Sequence, residues 1–197
     1  MSIEQDVKSR FSAWFSEEDW KRFKAVSELY YQRAVYLMKD DINFFISTSN
    51  KDSRLLARNI QKRLDIGIAT ELLIKSYYLK DGYMINLVKE KNKNMRNFPF
   101  LQTEDKEKFQ INNTFTLNDL IENLGKTKEF KEIDIIKEGF RIAKVFRNKE
   151  GHVVTKNHLY ESTDYDKIEN ALVAFYKEAF LEELSIRFSF EHGEDGY

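Results

Sequence analysis

The sequence predicts an all-α fold, an antiparallel bundle of four or five helices. Three observations favour this class. The chain of 197 residues contains one proline and seven glycines, which leaves few residues to punctuate a set of strands. Hydrophobic residues make up 42% of the chain, which is enough for a real core. Apolar residues recur at helical spacing over long stretches, and no segment shows a convincing strand pattern.

The first predicted helix begins near Ser16 and continues to about Ile46. Ser16 is placed to cap it, and the three acidic residues that follow lie in the first turn, where the helix dipole favours negative charge. Its apolar positions recur at helical spacing, namely Phe23, Val26, Tyr30, Ala34 and Leu37. We therefore interpret residues 1–52 as an N-terminal extension and helix that pack on a core formed by residues 53–197.

The second predicted helix runs from about Ser53 to Lys80 and stops at the Asp81-Gly82 dipeptide. Five residues spaced by four form one apolar line along it: Leu56, Ile60, Leu64, Ile68 and Leu72. Glu71 and Lys75 lie one turn apart, and we interpret them as a surface pair that contributes a few tenths of a kcal/mol.

The helical pattern fails in a basic insertion at about 83–113. This segment contains KEKNKNMRNFPF, which is rich in asparagine and holds the only proline. Two interpretations stay open, a solvated loop or a nucleic-acid contact. The second is considered because long insertions are often functional. In the second interpretation basic side chains alternate with Phe98 and Phe100. The candidate RNA-contacting residues are Lys89, Lys91, Lys93 and Arg96.

Three further helices are predicted after the insertion. FTLNDLIENLG is a short helix that Thr116 or Asn118 caps and Gly125 ends. The next helix begins at about Lys128, and Arg147 extends its inward stripe of Phe130, Ile133, Ile136, Phe140 and Ala143. The last helix covers about 164–190, with Ile168, Leu172, Phe175, Ala179 and Ile186 on one face. We interpret Phe140, Phe146, Phe175 and Phe180 as packing residues.

Composition excludes several classes of protein. The chain has no cysteine, so disulfides, cysteine-ligated zinc and a cysteine nucleophile are excluded. The N-terminal MSIEQDVKSR lacks the apolar stretch of a signal peptide, and no apolar run approaches the length of a membrane span. We therefore expect a soluble, cytoplasmic protein with no membrane partner. The net charge is −1, so any contact with nucleic acid must come from a local patch.

The segment VFRNKEGHVV, residues 145–154, carries the candidate chemistry. Arginine offers a planar fork of donors that suits phosphate oxygens, and histidine exchanges protons near neutral pH. Together the two side chains can cleave RNA without a metal. Five residues of continuous helix would leave Arg147 and His152 about 140° apart, so they converge only if the helix ends or bends. Gly151 permits such a break, and Asn148 is placed to orient either partner. A second pair at the same spacing, Arg187 and His192, lacks the asparagine.

These residues resemble a known superfamily. RNKEGH at the end of a helix resembles the RNxxxH motif of HEPN-domain ribonucleases, and the resemblance extends over roughly residues 53–190. IATELLIKSYYL is similar to the first core helix of many HEPN domains, and FTLNDLIENL is similar to their short second helix. The resemblance implies that Arg147 stabilises the scissile phosphate, that His152 is the general acid and base, and that Asn148 supports them, with no cofactor or metal ion.

The resemblance also implies partners and a biological role. HEPN nucleases generally work as dimers whose motifs face each other, so a homodimer is implied, together with an antitoxin or other regulatory partner. Many members are toxins or antiphage effectors that cut RNA. Some HEPN toxins carry a tyrosine two residues after the histidine, where this chain has Val154.

Two functions follow as hypotheses. The first is a metal-independent endoribonuclease that cleaves single-stranded RNA by 2′-hydroxyl attack, leaving 2′,3′-cyclic phosphate ends. The alternative is a non-catalytic HEPN-like module that binds RNA, nucleotide or a protein partner. A helical interaction protein unrelated to HEPN domains is a third interpretation.

Overall fold

The structure, a computed structural model, describes residues 3, 5, 6, 14–37, 51–90, 97–150 and 161–188. From Trp20 onward the described residues form five α-helices and one two-stranded antiparallel sheet. In chain order the elements are α1 (Trp20–Tyr36), α2 (Lys51–Lys80), β1 (Asn86–Val88), β2 (Phe109–Thr114), α3 (Leu117–Asn123), α4 (Ile133–Glu150) and α5 (Ser162–Phe175). The protein is therefore mostly helical, as the sequence predicts.

Helix α2 lies at the centre and packs against both α1 and α4. The ring of Tyr77, near the end of α2, contacts Phe130, which precedes α4. Gly67, ten residues earlier, approaches Arg147 near the end of α4. The two helices therefore run antiparallel. The four phenylalanines that the sequence assigns to packing are indeed buried, namely Phe140, Phe146, Phe175 and Phe180.

The apolar line predicted on α2 is not the buried face of that helix. Leu56 is exposed, and Ile60, Leu64, Ile68 and Leu72 are half-buried. The fully buried positions of α2 lie on other faces and include Ile66, Ala69, Leu73, Ile74, Tyr77 and Tyr78. The reason is that α2 has neighbours on several sides, so spacing by four alone does not identify its inward face.

Helix α1 begins later than predicted. Residues Glu17–Asp19 form a 3₁₀ turn before it, and Ser16 donates its backbone N–H to the Asp19 carboxylate at 3.0 Å. The hydroxyl of Ser27 donates to the carbonyl of Ala69 at 2.7 Å, which fixes α1 on α2. The predicted end of this helix near Ile46 lies outside the described residues.

The insertion contains a β-hairpin, which the sequence analysis did not predict. Strand β1 has only three residues, and β2 reads FQINNT with half of its side chains exposed, so neither has a strong strand pattern. Phe98 and Phe100 are 2% and 6% exposed and pack with Phe115. The prediction that these two rings contact nucleic acid is therefore wrong, because burial leaves no face for a base.

Of the four basic residues predicted to contact RNA, only Lys89 lies in the described part of the chain, and it is exposed. Lys91, Lys93 and Arg96 lie outside the described residues.

Helix α3 confirms one of the two predicted caps. The hydroxyl of Thr116 accepts the backbone N–H of Asp119 at 3.2 Å, and the Asp119 carboxylate accepts the N–H of Thr116 in return. This reciprocal capping box satisfies donors that the first turn would otherwise leave unpaired. The helix then tightens into a 3₁₀ turn, Leu124–Lys126, which contains Gly125.

Helix α5 ends well before the predicted limit. A π-helical turn, Tyr176–Phe180, follows it, and Leu181 has a left-handed backbone with φ of 58°. The carboxylate of Glu178 in this turn accepts the backbone N–H groups of Lys131 and Glu132 at 2.7 and 3.0 Å. These bonds tie the turn to the segment before α4, so the chain leaves the helix there. Among the described helices, none is both long and apolar enough to cross a membrane.

Candidate functional site

Arg147 lies near the C-terminal end of α4, directly opposite Gly67 of α2. A Cβ atom on Gly67 would lie 2.5 Å from the Cβ of Arg147 and 2.9 Å from the carbonyl oxygen of Ala143. Only glycine permits so close an approach of the two helices. The position of the Arg147 backbone is thus set by the α2 residue opposite it.

The side chain of Arg147 forms an ion pair with Glu71. Its Nη2 atom lies 2.8 Å from Oε2 of Glu71, which stands one turn after Gly67 on α2. The other carboxylate oxygen, Oε1, accepts a bond from Nζ of Lys75 at 2.6 Å. Lys75 also donates to the hydroxyl of Thr114 at the end of β2, at 2.8 Å. A chain of four polar side chains therefore joins α4, α2 and the hairpin.

Burial differs sharply among these polar side chains. The side chains of Glu71 and Lys75 are 12% and 10% exposed, whereas that of Arg147 is 41% exposed. A poorly hydrated carboxylate interacts strongly with the cations beside it. Glu71 thus holds one edge of the guanidinium, and much of the remaining side chain faces solvent. A guanidinium carries five N–H donors in a fork that matches phosphate oxygens.

Further positive charge surrounds this end of the bundle. Nζ of Lys62 lies 4.6 Å from the centroid of the Tyr165 ring, and Tyr165 contacts Phe146, the residue before Arg147. Burial, together with the nearby charges of Arg63 and Arg58, lowers the pKa of Lys62 to about 8.

Asn148 is exposed and lies about 100° around α4 from Arg147. It continues a row formed by Lys137, Arg141 and Lys144, which faces α3. Arg141 donates two bonds to Glu122, at 2.8 and 2.6 Å, and this pairing lowers the pKa of the Glu122 carboxyl. Asn148 thus sits at the end of a largely basic row, on a different face of the helix from the ion pair.

The structure brings together one predicted site residue and three that sequence reasoning did not assign to the site. Arg147 is joined by Glu71, Lys75 and Thr114. His152 lies outside the described residues, so its distance to Arg147 stays a prediction. The interpretation of Glu71 and Lys75 as a surface pair is wrong, because both are largely buried. Gly67 was the one signal in the sequence, because an isolated glycine inside a helical pattern often marks a close packing contact.

The described residues contain no group of three or more His, Asp or Glu side chains placed to hold a metal ion. Comparisons of the chain with models of known protein families, with curated proteins and with solved structures find no match. The functional conclusion therefore depends on the residues themselves.

Proposed function

We propose that this protein is a metal-independent endoribonuclease of the HEPN type that cleaves single-stranded RNA. The observation that carries the proposal is the partly exposed side chain of Arg147, which Glu71 holds at 2.8 Å near the end of α4, where the motif RNKEGH begins. Preorganised positive charge is the main requirement for stabilising a phosphoryl transition state.

The proposed reaction uses the 2′-hydroxyl of the substrate as its nucleophile. The 2′-oxygen attacks phosphorus, the bond from phosphorus to the 5′-oxygen breaks, and a 2′,3′-cyclic phosphate and a 5′-hydroxyl form. His152 accepts the 2′-proton, and the leaving 5′-oxygen gains a proton from the imidazolium or from water. Arg147 donates hydrogen bonds to the non-bridging oxygens as negative charge builds on them.

Glu71 acts in this scheme as a positioning residue. Its carboxylate restricts the guanidinium to one orientation before RNA binds, which reduces the reorganisation required at the transition state. The supporting role of Asn148 stays a prediction from the motif, because its exposed side chain lies on a different face of α4 from the ion pair.

The proposal includes a second copy of the chain. Its support is the resemblance to HEPN nucleases, which generally work as dimers whose motifs face each other. The biological role we propose is that of a cytoplasmic toxin or antiphage effector, controlled by an antitoxin or another regulatory partner.

A non-catalytic binding module is the second candidate, and one observation favours it. Glu71 neutralises part of the charge of Arg147, and the whole chain carries a net charge of −1. A module of this kind would bind RNA, nucleotide or protein without product formation.

The test incubates purified protein with a synthetic single-stranded RNA in the presence of a chelator. Wild type should produce fragments with 2′,3′-cyclic phosphate and 5′-hydroxyl ends, and a strand with 2′-deoxy sugars throughout should stay intact. His152→Ala should lose cleavage while retaining RNA binding. RNA left intact by wild type, or cut as fast by His152→Ala, would contradict the proposal.

A further inference from the structure

An open groove of about 620 Å³ runs along β2, away from the ion pair of Arg147. Its lining includes the indole of Trp14, the ammonium groups of Lys89 and Lys106, and the amide side chains of Gln110, Asn112 and Asn113. Glu107 adds one carboxylate. Phe109, which is buried, and Ile111 complete the lining. The groove thus combines an indole with other apolar surface, two cations and several groups that both donate and accept hydrogen bonds.

Trp14 is held in place at one end of this groove. Nζ of Lys106 lies 6.0 Å from the centroid of its ring. The next residue, Phe15, contacts Phe23 of α1 edge to face at 5.2 Å, and the backbone N–H of Glu17 donates to the side chain of Gln102 at 3.0 Å. The indole is half-buried against the core, so part of its surface faces outward and its position is set by its neighbours.

The strand that lines the groove also contacts the candidate active site. Asn113, in its lining, precedes Thr114, whose hydroxyl accepts a bond from Lys75. Lys75 donates to Glu71, which pairs with Arg147. The six residues of β2 span about 17 Å. The strand that lines the groove is therefore joined to Arg147 through two largely buried side chains, those of Lys75 and Glu71.

The chemistry of this groove suits single-stranded nucleic acid. Any base stacks on an aromatic ring, phosphates contact lysine ammonium groups, and amide side chains donate to and accept from base edges. The two lysines and Glu107 leave a small positive charge, so stacking must supply much of the affinity. A duplex keeps its bases stacked on each other and could not use Trp14.

We propose that this groove binds the single-stranded RNA that flanks the scissile phosphate. Trp14 stacks on one base, and Lys106 and Lys89 contact its phosphates. The inference rests on the proposed nuclease function, because it names a substrate subsite beside that active site. The groove gives the enzyme a substrate of several nucleotides rather than a dinucleotide.

The test uses the indole itself as the reporter. The chain has two tryptophans, so Trp20→Phe leaves Trp14 as the only one. Trp20 stacks on Phe180, and phenylalanine preserves that contact. An unlabelled 2′-O-methyl octanucleotide serves as the probe, because its blocked 2′-oxygen prevents cleavage. Trp14 fluorescence should be quenched saturably. Lys106→Ala should raise the half-saturating RNA concentration about fivefold, as expected when a cation beside a stacked base is lost.

Lys177→Ala is the matched control, because Lys177 is an exposed lysine that lines a separate hollow between α4 and α5. It should leave the titration unchanged. In cleavage assays Trp14→Ala should lower kcat/KM about tenfold for an octanucleotide but leave that of a dinucleotide unchanged. Trp14→Phe should restore most of the loss, which separates stacking from a defect in folding.

The outcomes separate the two proposals. Quenching by the blocked octanucleotide without cleavage of unmodified RNA would support the groove and contradict the nuclease. Unchanged Trp14 fluorescence would overturn the groove, whether or not a fluorescein-labelled copy of the octanucleotide binds elsewhere on the protein in an anisotropy titration. The groove would also be overturned as an RNA site if an extended peptide that pairs with β2 quenched Trp14 and the octanucleotide did not.

Discussion

Gly67 and Arg147 bring the backbones of two helices into contact at the candidate active site. A Cβ atom on Gly67 would lie 2.5 Å from the Cβ and 3.0 Å from the Cα of Arg147. The contact lies one turn of α2 before Glu71, whose carboxylate holds the guanidinium of Arg147. Helix packing and the placement of the Arg147 guanidinium are therefore one structural feature.

Gly67→Ala should damage both stability and activity. The added methyl group must displace α4, which costs about 1–3 kcal/mol and exceeds the gain of about 1 kcal/mol from better helix propensity. Urea unfolding should show the loss, and the cleavage rate of the folded protein should fall.

Two other glycines provide controls for this substitution. Gly125→Ala meets only Cγ1 of Ile133 at 3.9 Å, so its free energy of unfolding should change little. Gly139→Ala would place a methyl group 2.4 Å from the Cβ of Ala171, so it should destabilise the protein through α5 without a specific effect on cleavage. If Gly67→Ala and Gly139→Ala lost the same amount of activity for the same loss in free energy of unfolding, the link between Gly67 and the site would be contradicted.

Glu71→Gln should lower the free energy of unfolding by about 1–3 kcal/mol, because the largely buried ammonium group of Lys75 would lose its carboxylate. It should lower kcat more than it raises KM, since a freer guanidinium is less well oriented for the transition state. Urea unfolding and steady-state cleavage measure the two effects.

The matched control for Glu71→Gln is Glu138→Gln. Glu138 pairs with Lys167 at 2.8 Å, but both side chains are more than half exposed, so this change should have almost no effect. Wild-type kcat in folded Glu71→Gln would refute the positioning role.

Thr114→Val should destabilise the protein by about 1 kcal/mol, because it removes the hydroxyl that accepts a bond from Lys75. Thr114→Ser keeps the hydroxyl and should recover most of that loss. A difference between the serine and valine variants in thermal or urea unfolding supports the connection from the hairpin to α2; identical stabilities would show that the bond contributes nothing.

Lys62 predicts a pH dependence of stability. Its pKa in the folded protein is about 8, below its ordinary value of 10.5, mainly because burial disfavours the charge. Below pH 8 both states are charged, and the folded state bears the cost of the buried charge. Between about pH 8 and 10.5 the folded state has released its proton while the unfolded chain retains it, so this group makes stability rise with pH.

Lys62→Met removes this titration and keeps an unbranched apolar side chain. It should raise the free energy of unfolding at pH 7 by about 1–3 kcal/mol, and its advantage over wild type should shrink as pH approaches 10.5. Parallel urea titrations from pH 7 to 10 measure the difference. A variant less stable than wild type at pH 7 would show that the ammonium group contributes more through Tyr165 than its burial costs.

The sequence predicted the helical class because long apolar periodicities and few breaking residues are local properties. The stripe ending in Ala143 and Arg147, and the cap at Thr116, follow from the same local rules. The hairpin was missed because Asn86–Val88 is short and Phe109–Thr114 is mostly polar and exposed. Its rings at Phe98 and Phe100 are buried through contacts with residues distant in sequence.

The site was predicted in part for a related reason. Arg147 stood out by its motif, which is a local signal. Glu71 and Lys75 looked like an ordinary surface pair, because their burial depends on how α4 and the hairpin pack on α2. Spacing on one helix does not reveal which neighbouring helix covers it, so the partner of Arg147 could be assigned only from the structure.

The most direct test compares two arginines of α4 in one single-turnover cleavage experiment with a chelator present. Arg147 and Arg141 each pair with a glutamate, and their side chains are 41% and 50% exposed. Arg147→Ala should slow cleavage at saturating protein by at least about a hundredfold. Arg141→Ala should cleave at a rate within about twofold of wild type, because a surface ion pair contributes little. Equal rates for wild type and folded Arg147→Ala would contradict the account.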